Sequence, residues 1–241
     1  MNLLIVEDYE ALSQAGANWL SAAIQAKPDA ALVLATGDTP MGVYRELAER
    51  YARGLVITSQ LRVFQLDAYL GLLPDDRRSL FGWMRRSFLE PLGISESNVV
   101  RLPGDSSDPS EACRAYAAAA RQVGGFDISI LGLGPNGHLG FNEPPSPPHV
   151  PTRLVDLTPE SILSNTRYWG DEGDVPRQAL TCGMDLLLAA RQTLLVVSGV
   201  HKHRILHRAL EEPQTPDVPA SYLQSAPRVT VLADRAAWQG V

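Results

Sequence analysis

The strongest constraint on the fold is a set of short, mostly apolar runs that do not alternate with polar residues: Ala31–Ala35, Leu61–Leu66, Phe126–Leu131, Thr193–Val197 and Val229–Leu232. A strand with one face in water alternates, whereas a strand apolar throughout belongs inside a parallel sheet covered on both faces. Between these runs lie stretches with helical spacing. Residues 8–27 carry Leu12, Ala15, Trp19, Leu20, Ala23 and Ile24 and stop at Lys27-Pro28, and Ser79–Leu92, Pro109–Arg121, Thr158–Trp169 and Pro176–Ala190 read likewise as helices. Strand and helix alternate without a repeat or a low-complexity segment. The expected fold is therefore α/β, Rossmann-like, with a mainly parallel sheet flanked by helices. A chain of 241 residues with 45% hydrophobic content can bury one substantial core, so a single α/β domain over residues 1–241 is expected.

Ligands of open α/β sheets bind beyond the carboxyl ends of the strands, so the residues after each apolar run are the candidates for function. The first run enters Thr36-Gly37-Asp38-Thr39-Pro40, with Thr39 as an N-cap and Pro40 as the first helical residue. Free N–H groups at such a helix start suit a phosphate. The second run delivers Asp67, a candidate base. The third enters L-G-L-G-P-N-G-H-L-G-F-N-E-P, where Gly132, Gly134 and Gly137 let the backbone approach a ligand and His138 and Glu143 supply an imidazole and a carboxylate. The fourth ends in Ser198-Gly199, with Lys202 close behind. Taken singly, each is an ordinary turn, cap or chance polar residue. Together they place a phosphate-type loop, an acid, an acid/base pair and a cation on one sheet edge, which is the pattern of an active site.

Other readings fit less well. The third loop satisfies Gly-x-Gly-x-x-Gly, but a dinucleotide site needs a helix to begin there. Pro135 and the following F-N-E-P-P-S-P-P-H-V-P forbid one. His201, His203 and His207 lie close in sequence, yet no carboxylate or thiol stands among them and Lys202 and Arg204 repel a cation, so no metal site is expected. Cys113 and Cys182 are far apart and read as reduced, packed thiols. A net charge of −6 with no long basic run argues against nucleic acid or a membrane surface as partner. No run approaches a membrane span, and Met1–Glu10 lacks the basic and apolar segments of an export signal; a cytoplasmic location and a small-molecule partner are expected.

Several of these stretches together resemble the glucosamine-6-phosphate deaminases, within the wider glucosamine/galactosamine-6-phosphate isomerase group. They are A-T-G-D-T-P, L-D-A-Y-L-G-L, G-L-G-P-N-G-H-L-G-F-N-E-P, S-N-T-R-Y, A-L-T-C-G-M and S-G-V-H-K, and they span nearly the whole chain. The run G-H-L-G-F-N-E-P is the most specific. The related 6-phosphogluconolactonases share the fold and the glycine loop but usually differ after the histidine. The resemblance implies aldose-to-ketose isomerisation of an amino-sugar phosphate with loss of ammonia, with lactone hydrolysis or a non-catalytic phosphosugar sensor as alternatives.

By the same resemblance, His138 assists ring opening, Glu143 holds and polarises it, and Asp67 moves a proton between carbon 2 and carbon 1 without a cofactor. Arg167 and Lys202 hold the phosphate with the loop of Thr36, Gly37, Asp38 and Thr39, and Gly137 belongs to the same substrate-binding set. Residues of about 153–178 correspond to a small helical lid. A homo-oligomer is left open. Three positions depart from the family pattern. Asn136 stands where many members carry a third catalytic acid, Ala68 follows the catalytic aspartate in place of an acid, and Asp38 replaces a small neutral residue. An anion facing a phosphate is unfavourable, so either Asp38 points away or the loop binds something else. Hexameric members bind an acetylated amino-sugar phosphate through an arginine and a lysine two residues apart. Arg153 and Val155 occupy those places here, so activation by that compound is not expected.

Overall fold

The computed structural model describes residues 1–240. In chain order the elements are β1 (Asn2–Val6), α1 (Tyr9–Ala26), β2 (Ala31–Leu34), α2 (Asp38–Ala52), β3 (Arg62–Gln65), β4 (Asp67–Tyr69), α3 (Leu80–Met84), β5 (Val99–Val100), α4 (Pro109–Gln122), β6 (Ile128–Gly132), β7 (Arg153–Asp156), α5 (Pro159–Trp169), β8 (Gln178–Thr181), α6 (Met184–Leu188), β9 (Gln192–Val197), α7 (His203–Glu211), β10 (Val229–Asp234) and α8 (Arg235–Gln239). A seven-stranded sheet in the order β1-β10-β9-β6-β2-β3-β5 is parallel throughout, as the apolar runs require.

Side chains of the central strands divide by parity between two cores. Val33 of β2, Phe64 of β3, Leu131 of β6, Leu195 of β9 and Val231 of β10 point into one, beneath α4, α6 and α7. Leu32, Val63, Ile130, Leu194 and Leu232 point into the other, beneath α1, α2 and α3. Period-2 alternation is thus present, but both phases are apolar because both faces are covered. Between β2 and β6 the strand order reverses: the chain proceeds from β2 to β3 on one side and from β6 to β9 and β10 on the other. The loops that follow these two strands diverge, and the opening between them is where such sheets place ligands.

A second, three-stranded antiparallel sheet, β4-β8-β7, sits beyond the carboxyl edge of the first. With α5 it encloses a small core of Tyr69, Leu80, Phe141, Leu157, Ile162, Val175 and Ala179.

Four expectations need correction. Pro176–Ala190 is not one helix: Gln178–Thr181 is a strand, Met184–Leu188 a short helix. Alanine and leucine there favour a helix locally, but flanking β4 and β7 supply hydrogen-bond partners on both sides, and pairing overrides propensity. Thr39 does not cap α2; the cap is Gly37, with φ 103° and no side-chain bond. Ser79–Leu92 continues past α3 as a π-helical turn over Arg85–Leu89. The edge strands β1 and β5 were not anticipated, because β1 is largely exposed and β5 is two residues long.

Phe64 is fully buried, with its ring 5.8 Å from Tyr116 and 5.2 Å from Phe126, both edge-on. Deleting it leaves a cavity beneath α4 that these neighbours cannot fill. Phe64→Ala is expected to cost about 3–5 kcal/mol, read as a lower urea midpoint at unchanged m-value. An unchanged midpoint would mean that the core collapses around the deletion.

Candidate active site

A cleft of about 420 Å³ opens at the carboxyl ends of β2, β3, β6 and β9. Thr36 to Thr39, Asp67, His138, Arg167 and Lys202 all line it. Asn136, Gly137 and Glu143 do not. Gly137 is buried against Val218 and Ile205, and its carbonyl accepts a hydrogen bond from the Ala220 N–H at 2.8 Å, so it shapes the loop from behind.

The β6 loop closes on itself around Glu143. Oε2 of this carboxylate accepts from Asn136 Nδ2 at 2.8 Å and from Thr158 Oγ1 at 3.1 Å, and lies 3.2 Å from His138 Nδ1. Asn136 Oδ1 accepts from the His138 backbone N–H at 3.2 Å. With Nδ1–H directed at Glu143, the imidazole presents Nε2 to the cleft. Burial works to raise the Glu143 pKa, but the hydrogen bond and charge of His138, with donors at Ser161 and Asn136, prevail and bring it down to about 2. The carboxylate therefore stays ionised. Gly134 is a steric requirement, because a Cβ there would collide with the His138 ring.

Asp67 occupies the opposite kind of environment. It is 8% exposed, and among the described residues its carboxylate has neither an ion pair nor a donor within hydrogen-bond distance. Desolvation pushes its pKa up to about 7. A carboxyl group poised there exchanges a proton readily near neutrality, which a general base requires.

At the other end of the cleft the chemistry is cationic. Burial, and then the charge of Arg167, push the Lys202 ammonium down to about 8. Burial, Lys202 and Arg167 likewise lower His201. Lys202 has no carboxylate within 4.0 Å among the described residues, whereas Arg167 Nη1 lies 3.3 Å from Asp38 Oδ2. Because Gly37 caps α2 without a side chain, the N–H groups of its first turn remain available, and the positive φ of Gly37 is one that other residues resist. Two cations and a bare helix start favour an anion. Asp38 is exposed and leans onto Arg167, so it neither turns away nor faces the loop unpaired.

Several contributors had not been anticipated. Asp234, at the end of β10, accepts from Ser198 Oγ at 2.5 Å and from the Gly199 N–H at 3.1 Å, fixing the turn that carries Lys202. Ser161 Oγ lies 3.2 Å from His138 Nδ1. Thr158 was legible as a helix cap, which it is, but the same hydroxyl also serves Glu143. His207 is unavailable to a metal: Nδ1 lies 2.9 Å from Glu211 Oε2 and Nε2 2.9 Å from the Trp238 carbonyl, with the ring stacked on Trp238. Among the described residues no group of three or more His, Cys, Asp or Glu side chains is placed to hold a metal ion. No helix among them is long and apolar enough to cross a membrane.

Comparison with known proteins shows the family. The sequence profile of the family described as glucosamine-6-phosphate isomerases/6-phosphogluconolactonase matches residues 7–232. A glucosamine-6-phosphate deaminase of Halothermothrix orenii is 40% identical over 237 residues, covering 98% of both chains. A solved monomeric glucosamine-6-phosphate deaminase superposes with a TM-score of 0.96 at 36% identity, covering 98% of both chains. The 6-phosphogluconolactonase of Trypanosoma brucei, at a TM-score of 0.79 and 18% identity over 98% of this chain and 97% of its own, shares the fold. With its glycine loop, buried acid and cationic pocket on one sheet edge, the chain belongs to the glucosamine-6-phosphate isomerase/6-phosphogluconolactonase family.

Proposed function

We propose that the protein is a glucosamine-6-phosphate deaminase, converting glucosamine 6-phosphate and water to fructose 6-phosphate and ammonia. The observation that carries this reading is the contrast between two carboxylates: Asp67, which lines the cleft, and Glu143, which stands behind His138 outside it. Asp67 is poised to exchange a proton near pH 7, and Glu143 is locked in the charged form behind His138. Isomerisation moves a proton from carbon 2 to carbon 1, and one carboxylate reaching both carbons can remove and return it. His138 Nε2 assists opening of the sugar ring, with Glu143 stabilising the imidazolium that forms. Asn136 acts through Glu143 as a positioning residue. Arg167, Lys202 and the Thr36–Thr39 loop take the phosphate, which fixes the sugar's reacting end toward Asp67. The names of the similar proteins support glucosamine over its carbon 4 epimer. Lactone hydrolysis has no separate support here, and 6-phosphogluconolactone serves as the control substrate.

In this reading residues 153–178, which are not wholly helical but include β7 as well as α5, form a lid over the cleft, within a single unit spanning the chain. Trp83 against Tyr168 and Tyr69 against Trp169 hold its helix over the cleft. Because a sugar phosphate is charged and does not cross a bilayer unaided, a cytoplasmic location goes with it.

Asp67→Asn is expected to abolish ammonia release from glucosamine 6-phosphate while phosphosugar binding persists. The pH dependence checks the assignment. In wild type, kcat/KM should fall below about pH 7 as Asp67 protonates, and again above about pH 8 as Lys202 loses its charge. Stability adds a sign test. The folded Asp67 pKa lies above its ordinary value of 3.8, so its burial penalty is absent below that value and fully developed once pH exceeds about 7. Asp67→Asn should therefore melt higher than wild type at pH 8 and about equally at pH 4. A near-normal rate in this variant would remove Asp67 from the mechanism.

Asp38 competes with the incoming phosphate for Arg167 and opposes it by charge. Asp38→Asn should lower KM about three- to tenfold with little change in kcat, in steady-state assays at low ionic strength. A raised KM would instead show that the Asp38 carboxylate helps to hold substrate.

Arg153 is not free for an effector. Its Nη1 donates to Asn142 Oδ1 at 2.7 Å and its Nη2 to Ser146 Oγ at 2.9 Å, and Val155 packs against the small core. Hyperbolic substrate dependence is therefore expected, with no activation by N-acetylglucosamine 6-phosphate. A sigmoidal curve that this compound makes hyperbolic would contradict it.

A further inference from the structure

Beside the cleft, across the last turn of α5, lies a second cavity of about 360 Å³, lined by Arg77, Arg78, Arg86, Trp83, Trp169 and neighbouring residues. Tyr69, Leu80, Trp83 and Tyr168 border both spaces, so the two are separated by a single layer of side chains. Its size is within the range of small-molecule sites.

Three guanidinium groups on one cavity are unexpected in a chain of net charge −6. They differ in how they are used. Arg78 is already satisfied: it forks onto Asp76 at 3.1 and 3.0 Å and lies over the Trp169 ring at 4.8 Å. Arg77 and Arg86 have no carboxylate within 4.0 Å among the described residues; the nearby acids Asp75 and Asp76 are engaged by Arg85 and Arg78. Arg86 is nonetheless held in place. Its Nη2 donates to the Arg77 carbonyl at 2.8 Å, and its Nη1 occupies space that a side chain on residue 82 would contest, since a Cβ there would stand 3.0 Å away. Trp83, in the adjacent helix, supplies an aromatic surface beside it.

A positioned positive edge next to an aromatic wall calls for an anion joined to a flat body. We propose that this cavity is a second ligand site, distinct from the catalytic cleft, for a nucleoside monophosphate: Arg77 and Arg86 take the phosphate while the base packs against Trp83 and Trp169. Trp83 and Trp169 also contact Tyr168 and Tyr69 in the wall of the cleft, so a ligand here bears directly on how α5 is seated.

The test is titration of adenosine monophosphate into the whole protein, followed by tryptophan fluorescence and by calorimetry, with adenosine and inorganic phosphate in parallel. Binding with a dissociation constant at or below about 1 mM is expected, tighter than either fragment. Arg77→Ala and Arg86→Ala should each weaken it about tenfold, while Lys202→Ala, which alters the catalytic cleft, should leave it unchanged. Arg77 is exposed, so its variant tests the site without endangering the fold, and matched melting curves establish this. The proposal is overturned if the nucleotide fails to bind at about 10 mM. It is overturned equally if binding is lost in Lys202→Ala and kept in both arginine variants, which would put the nucleotide in the cleft. Inorganic phosphate binding as tightly as the nucleotide would also overturn it, by excluding the aromatic wall.

Discussion

One oxygen, Glu143 Oε2, joins parts of the molecule that the chain keeps separate. Asn136 belongs to the glycine loop after β6, His138 carries the imidazole, and Thr158 begins α5; all three converge on this atom. A buried carboxylate is costly unless donors surround it, so each contact is held by the penalty for losing it. The loop that could otherwise wander between β6 and the prolines is closed by its own side chains. The imidazole has one direction left to face, and the start of α5 is fixed to the loop that carries the histidine. The cleft inherits its shape from this arrangement.

The two site carboxylates show how environment assigns chemistry. Glu143 has donors and a potential cation gathered on Oε2, and its pKa falls to about 2; Asp67 has little beside it that stabilises charge, and its pKa rises to about 7. Asn136 contributes to this contrast. An amide at that place donates to Glu143, where a carboxylate would repel it, so the residue at this position helps to lower the Glu143 pKa and keep it ionised. Ala68 acts by absence. It is buried in the main core directly after Asp67, where an acid would have to be ionised without solvent or would compete with Asp67 for its proton.

Much of this was legible because the sheet is parallel and doubly covered. Apolar runs mark such strands plainly, and the residues after them fall on one edge by topology alone, so Thr36, Asp67, His138 and Lys202 could be grouped without coordinates. What the pattern hid was non-local. The strand Gln178–Thr181 depends on partners from residues 67–69 and 153–156, and its own composition favours a helix. The burial that raises the Asp67 pKa, and the service of Asp234 to the Ser198–Gly199 turn, arise from segments distant in sequence. The pairing of Asp38 with Arg167 lies between two exposed side chains 129 positions apart, which no local spacing could have foretold.

Arg153 shows the same logic at the base of the small sheet. It is half-buried, and burial lowers its pKa against the opposing charge of Asp185, while Asn142 Oδ1, Ser146 Oγ and the Pro151 carbonyl accept from its guanidinium. Asn142 is adjacent to Glu143, and the Ser146 hydroxyl in turn donates to the Glu143 carbonyl. Arg153 therefore ties the first residue of β7 to the segment that positions the imidazole. A group that would face outward to serve as an effector contact is here an internal brace. Moving β7 would disturb acceptors next to Glu143, and through Glu143 the direction of His138. The antiparallel sheet and the loop after β6 are thus braced against each other. The start of α5 is tied to the same network through Thr158, whereas its far end is held by aromatic contacts and the exposed pairing of Arg167 with Asp38, which cost less to break than a buried network.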